Sequence, residues 1–125
     1  MTEIIYPEES YKIIGACFEV YKQKGCGFTE PIYQERLAIE FGLQNIPFIA
    51  QPIVEMDYKG VKLEQHFRPD FVCYDKIIIE LKALSKLVDV HRAQTLNYLN
   101  ANEFRLALLI NFGHHPKLEY ERIVL

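Results

Sequence analysis

Two carboxylates and an ammonium group stand in the middle of this chain at a spacing that adjacent strands would bring together: Asp70, Glu80 and Lys82. The segment Arg68-Pro69-Asp70-Phe71-Val72-Cys73-Tyr74-Asp75-Lys76-Ile77-Ile78-Ile79-Glu80-Leu81-Lys82 reads as the end of one strand, a tight turn and a second strand. Alternate residues of a strand share a face, so Glu80 and Lys82 point one way, while Ile77, Ile79 and Leu81 point the other. Carboxylates gathered on a buried strand are costly unless a cation lies between them. Mg²⁺ or Mn²⁺ suits such a pair, because these hard ions take one or two carboxylates and keep several waters. A backbone carbonyl such as that of Leu81 could add a ligand. The ion would activate a water and neutralise a phosphate, and Lys82 would orient that water or stabilise the developing charge. Each residue also has an ordinary reading: Asp70 as a turn former after Pro69, Glu80 and Lys82 as a solvent-facing pair. The isoleucine-rich surroundings weaken the second, since they mark a strand buried on both sides.

The elements that must position these residues can be read in outline. Ile13, Ile14, Cys17, Phe18, Val20 and Tyr21 share a helical face between Glu9 and Lys24, with Ser10 as N-cap and Gly25-Cys26-Gly27 as terminator. Thr29 caps a second helix with Glu30 and Pro31 in its first turn; Ile32, Tyr33, Leu37 and Phe41 supply its buried stripe, and Gly42 stops it. Phe48–Tyr58 and Val61–Tyr74 are strands around a Lys59-Gly60 turn, the second interrupted by Pro69. A central strand covers Lys76–Ala83. A helix covers Val88–Ala101, with Val90, Ala93, Leu96 and Leu99 toward the core. A buried strand covers Leu106–Phe112, and Glu119–Leu125 closes the order. The fold class is α/β, in the sense of an α+β mixed sheet flanked by helices.

Composition narrows the rest. The 125 residues make one domain, 1–125, with 50% apolar and 25% charged residues. A net charge of −3 argues against a surface that coats nucleic acid broadly, but leaves room for a small basic groove. Cys17, Cys26 and Cys73 lack metal or disulfide spacing and read as free thiols. His114 and His115 are adjacent, so on a strand their rings would point apart, and no zinc pattern exists. Met1-Thr2-Glu3-Ile4-Ile5-Tyr6 does not resemble a signal peptide, and no apolar run would span a bilayer, so the cytoplasm is the expected location.

Pro69-Asp70 followed by Glu80-Leu81-Lys82 resembles the signature of the PD-(D/E)xK nuclease superfamily. Gly27-Phe28-Thr29-Glu30-Pro31-Ile32-Tyr33 resembles the motif of the bacterial and archaeal GxxExxY proteins of that superfamily: Gly27, Glu30 and Tyr33. His91-Arg92-Ala93-Gln94-Thr95-Leu96-Asn97-Tyr98 carries the QxxxY spacing of RecB-type nucleases. The resemblance implies a restriction-endonuclease-like core and a metal-dependent nuclease that hydrolyses phosphodiester bonds, with DNA as the partner. Asp70 and Glu80 would be ligands of Mg²⁺ (or Mn²⁺), and Lys82 the catalytic lysine. A glutamate from an early helix joins such sites. Glu35 is the residue favoured here, as ligand and catalytic group, with Glu30 as a first-turn acid serving the helix dipole. Gln94 would face the site and Tyr98 would support it or meet substrate; a core tyrosine is the competing reading. Arg68, Arg92 and His91 are candidate phosphate contacts, against plain surface roles. Tyr11, Tyr21, Tyr33, Phe18 and Phe28 could stack on bases but at helical spacing read as core.

A non-catalytic nucleic-acid- or protein-binding module with the same fold is the alternative function. Membrane association is not expected. A homodimer would help so small a nuclease cut two strands, and Ile123-Val124-Leu125 would either pair across an interface or complete the sheet.

Overall fold

The computed structural model describes residues 4–125, so Met1-Thr2-Glu3 lie outside the described residues. Helix α1 (Pro7–Lys24) and helix α2 (Glu30–Leu43) come first. Five strands follow: β1 (Phe48–Ala50), β2 (Val54–Tyr58), β3 (Val61–Phe67), β4 (Phe71–Cys73) and β5 (Ile77–Lys82). Helix α3 (Asp89–Asn102), β6 (Leu106–Asn111) and β7 (Glu119–Val124) complete the chain. The main sheet has the order β1-β4-β5-β6-β7, with β5 and β6 parallel and every other pairing antiparallel. The parallel pair requires a crossover, and α3 supplies it.

The sheet carries a core on each face. Ile77, Ile79 and Leu81 of β5 join Leu106, Leu108 and Ile110 of β6 beneath α1 and α2. On the other face Ile78, Val72 and Ala107 meet Leu99 of α3 and Phe67 of β3. β5 and β6 are therefore buried on both sides, as their apolar runs require.

The two long strands expected around Lys59-Gly60 are each broken. β2 and β3 form a separate two-stranded ribbon, while β1 and β4 belong to the main sheet. The pairing nevertheless runs on through the break: Phe48 faces Cys73, and Val54 faces Phe67 in the same register. This is one hairpin bent at two opposing points. Gln51 takes a left-handed conformation (φ 49°), Pro52 follows it, and Pro69 lies across the bend. Proline has no N–H for a ladder, so the bend falls where pairing is cheapest to lose. The bend sets Asp70 at its corner.

Other expectations change in detail. The first helix starts at Pro7, behind Tyr6, so Ser10 is not its N-cap. Ser10 is instead buried in the helix, where its hydroxyl accepts from Arg122 of β7 (2.7 Å). Ile32 leaves the buried stripe of α2 (40% exposed), and Tyr33, Leu37 and Phe41 keep it. On α3, Val90, Ala93 and Leu96 face outward, and Thr95 and Leu99 are the buried positions. The inward face of α3 sets Leu99 and Tyr98 on the apolar sheet face and Arg92 against Glu121 of β7. Of the early aromatics only Tyr33 is fully buried; Tyr11, Phe18 and Phe28 are exposed, and Phe18 meets Tyr120 edge-on. His114 and His115 lie in a turn, not a strand, with a cis peptide bond between His115 and Pro116. Ile123 and Val124 complete the sheet as part of β7.

The link from β5 to α3 is pinned from below. Asn111, fully buried at the end of β6, accepts from the N–H groups of Leu84 (2.9 Å) and Gly113 (3.1 Å) through Oδ1. Its Nδ2 donates to the Leu84 carbonyl (3.0 Å) and to Glu119 Oε1 (2.9 Å), which also accepts from Leu87 N–H. Gly113 packs so closely that an added Cβ would lie 2.4 Å from the Leu84 nitrogen and 2.5 Å from the Ala83 carbonyl carbon. Both are backbone atoms of the pinned link. Gly113→Ala should therefore destabilise the fold by about 1–3 kcal/mol, read as a lowered denaturation midpoint at unchanged slope.

Candidate active site

Asp70 and Glu80 come together through the antiparallel pairing of β4 and β5. Phe71 faces Ile79 and Cys73 faces Ile77, and one further step along that register sets Asp70 opposite Glu80. Val72 and Ile78 point toward α3, and the alternation carries Asp70, Glu80 and Lys82 to that same face. Asp70 is anchored there: its Oδ2 accepts from the Leu81 backbone N–H at 2.7 Å. Lys82 ends β5, where its carbonyl accepts from Phe112 N–H (2.9 Å).

The electrostatics of the pair are those of a site waiting for positive charge. Burial raises the Asp70 carboxyl above its usual range, and the charge of Glu30 raises it further, against the Leu81 hydrogen bond and Lys82. Glu80 is pushed up to about 8, first by burial and then by the charge of Asp70, with Lys82 and the Asp70 backbone N–H pulling the other way. Its Oε1 is buried and has no hydrogen-bond partner. A buried carboxylate oxygen without a donor is costly, and a divalent cation is the group that would relieve it. Among the described residues no group of three or more His, Cys, Asp and Glu side chains stands at ligand spacing. The donor set is two carboxylates, which fits Mg²⁺ or Mn²⁺, ions that complete their shells with water.

The helix acid beside this pair is Glu30, not Glu35. Glu30 is the helix acid whose charge bears on both Asp70 and Glu80. The geometry agrees, because Gln34, one turn along the same face as Glu30, donates from Nε2 to the Asp70 carbonyl (3.3 Å). Glu30 and Glu35 are both exposed, but Glu35 lies about 100° further around the helix than Gln34. The loop before α2 directs Glu30. Gly27 has φ 116°, a conformation that disfavours side chains. The buried Tyr33 stacks on Phe112 (4.6 Å between ring centroids) and donates its hydroxyl to the Gly25 carbonyl (2.7 Å) while accepting from Phe28 N–H (3.2 Å). The Gly27, Glu30 and Tyr33 spacing is thus a stapled loop with an acid at its exit.

The α3 residues take other parts. Gln94 donates from Nε2 to the Tyr98 hydroxyl (3.0 Å), and the Tyr98 ring stacks on Phe67 at 3.7 Å. Tyr98 is half-buried, so it supports the ribbon, with its hydroxyl held by Gln94. Arg92 is engaged by Glu121 and by Asp89 (2.8 Å), and His91 Nδ1 accepts from Val88 N–H (3.1 Å), capping α3. Both make structural contacts within the fold through these atoms. Arg68 is exposed beside the Pro69-Asp70 corner. Gln34, Gln51 and Asn111 were not legible as site-supporting residues. Asn111 alone left a trace, as one amide in an otherwise apolar strand.

Residues 7–123 match the model of the PD-(D/E)XK nuclease superfamily. Among solved structures, the crystal structure of SSO0001 superposes with a TM-score of 0.57 at 17% identity, over 75% of this chain and 50% of that one. The chain thus spans about half the length of that protein, and the likeness bears on the fold. No match is found among curated proteins. No helix among the described residues is long and apolar enough to cross a membrane.

Proposed function

The chain belongs to the PD-(D/E)XK nuclease superfamily, and we propose that it is a nuclease that uses a divalent cation, Mg²⁺ or Mn²⁺, to hydrolyse phosphodiester bonds in DNA. The observation that carries this reading is the buried, partnerless Oε1 of Glu80, paired with Asp70 and flanked by Lys82. Asp70 and Glu80 would hold the cation. When bound, it would lower the pKa of a water and neutralise charge on the scissile phosphate.

The chain's own residues do the rest. Asp70 is fixed through Leu81, so one carboxylate is preset before any ion arrives. Glu80 holds a proton at neutral pH without the ion and gives it up when positive charge enters. Lys82, on the same face, orients the attacking water or donates to the phosphate oxygen as charge develops there. Glu30 adds negative charge from α2 and strengthens the pull on a cation. Gln94 and Tyr98 would meet the bound DNA from the α3 side, and Arg68 would contact a flanking phosphate. The protein would act in the cytoplasm, and a second copy would supply the second cut of a duplex.

Cleavage of labelled single-stranded, duplex and branched DNA with Mg²⁺ or Mn²⁺ tests the reading. Activity that disappears with chelator is the expected result. Salt-sensitive DNA binding without cleavage by any preparation would replace it with the non-catalytic module.

A further inference from the structure

Three separate elements meet at the carbonyl of Asp70. The Gln51 N–H donates to it (3.0 Å), continuing the ladder through the bend of the hairpin. The Gln34 side chain of α2 donates to the same oxygen through Nε2 (3.3 Å). The Gln51 amide then closes the ring by donating to Gln34 Oε1 (3.1 Å). Gln51 makes these contacts from a left-handed backbone conformation, φ 49°. Such a conformation costs free energy for a residue with a Cβ, and it persists where its surroundings demand it.

The ring joins α2 to the corner of the hairpin at the residue whose carboxylate faces Glu80. Glu30 lies one turn before Gln34 on the same side of α2. The apolar core seats this side of α2, and the Gln34 contact adds a polar tie between it and the Asp70 corner. The core residues Tyr33, Leu37 and Phe41 seat α2 on the sheet from the same side of the helix, and Phe41 packs on Phe71, the neighbour of Asp70.

We propose that Gln34 and Gln51 form a clasp that fixes α2 against Asp70 and thereby sets the affinity of the carboxylate site for a divalent cation. Both are positioning residues: Gln34 acts through the Asp70 backbone and through the placement of Glu30, and Gln51 acts through Gln34. The inference rests on the metal-site reading above.

The test is calorimetric titration of MnCl₂ into the full chain, with thermal melting of the metal-free protein alongside. Gln34→Met keeps the bulk and removes both side-chain hydrogen bonds. It should weaken Mn²⁺ binding on the order of tenfold, as loss of groups supporting a ligand does. Gln51→Gly removes the amide from Gln34, keeps the N–H to Asp70, and suits φ 49°. It should weaken Mn²⁺ binding while leaving the melting temperature equal or higher. A merely structural clasp would make affinity and melting temperature fall together, so their divergence in Gln51→Gly is the decisive sign. The double variant should bind no more weakly than Gln34→Met, because both changes open one ring. Wild-type affinity in Gln34→Met and Gln51→Gly would overturn the clasp and leave the metal site standing. Failure of the wild type to bind Mn²⁺ would overturn the metal site, and the clasp with it.

Discussion

Lys82→Ala is expected to cut metal-dependent DNA cleavage by about 10²–10³-fold, the usual cost of removing one donor aimed at developing charge, while the fold stays intact. Lys82 is the last residue of β5, and its backbone is secured by Phe112 whatever side chain it carries. Its ammonium lies on the α3 face with both carboxylates and lowers the proton affinity of each. Its removal should therefore make Mn²⁺ binding somewhat weaker near pH 7, where more of the pair is protonated, and restore it toward pH 8–9, since ligands must be deprotonated to bind. Cleavage should not recover over that same range. The split between recovered binding and lost turnover separates a catalytic lysine from one that only tunes the ligands. Equal cleavage by variant and wild type would remove Lys82 from the chemistry and point to a contaminating nuclease.

The placement of Asp70, Glu80 and Lys82 was readable because strand alternation is local: Glu80 and Lys82 share a face by spacing alone, and an isoleucine-rich strand could only be central. Pairing with Asp70 followed from a turn short enough to fix the register, and Phe71 does face Ile79. The choice between Glu30 and Glu35 was not readable in this way. It depends on how α2 is rotated against the sheet, and that rotation is set by Tyr33, Leu37 and Phe41 together with the Gln34 contact to Asp70. Placing Ile32 in the buried stripe implied a different rotation. The face of α3 was misread for a related reason. Its apolar residues Val90 and Leu96 suggested a core side, but the side that packs carries Thr95, Leu99 and Tyr98, and Leu99 and Tyr98 meet Phe67, Val72, Ile78 and Ala107 there. The broken hairpin turned on Gln51, whose left-handed backbone has no signature in its residue type.

Glu80→Gln should markedly change how stability depends on pH between 4.5 and 8. The Glu80 carboxyl is held up at about 8 in the fold, against 4.5 for an ordinary glutamate. Between those values the native state keeps a proton that the unfolded chain has released. Stability is therefore fully present below pH 4.5, falls as pH rises, and reaches its minimum contribution above pH 8. The loss is on the order of 3–5 kcal/mol, with Asp70, also raised, acting in the same direction. Glutamine has the shape of the protonated acid and never ionises. The variant should match the wild type near pH 4.5, then melt roughly 10 °C higher at pH 8 without metal. Mn²⁺ should reverse the order at pH 8: it stabilises the wild type by binding the carboxylate pair, and it has little to bind in the variant. Melting curves at pH 4.5, 6 and 8, with and without Mn²⁺, read all of this. Parallel pH profiles for the two proteins would mean that Glu80 ionises freely in the fold. Its burial would then carry no electrostatic cost for a cation to relieve, and the physical argument for a metal at this position would fail.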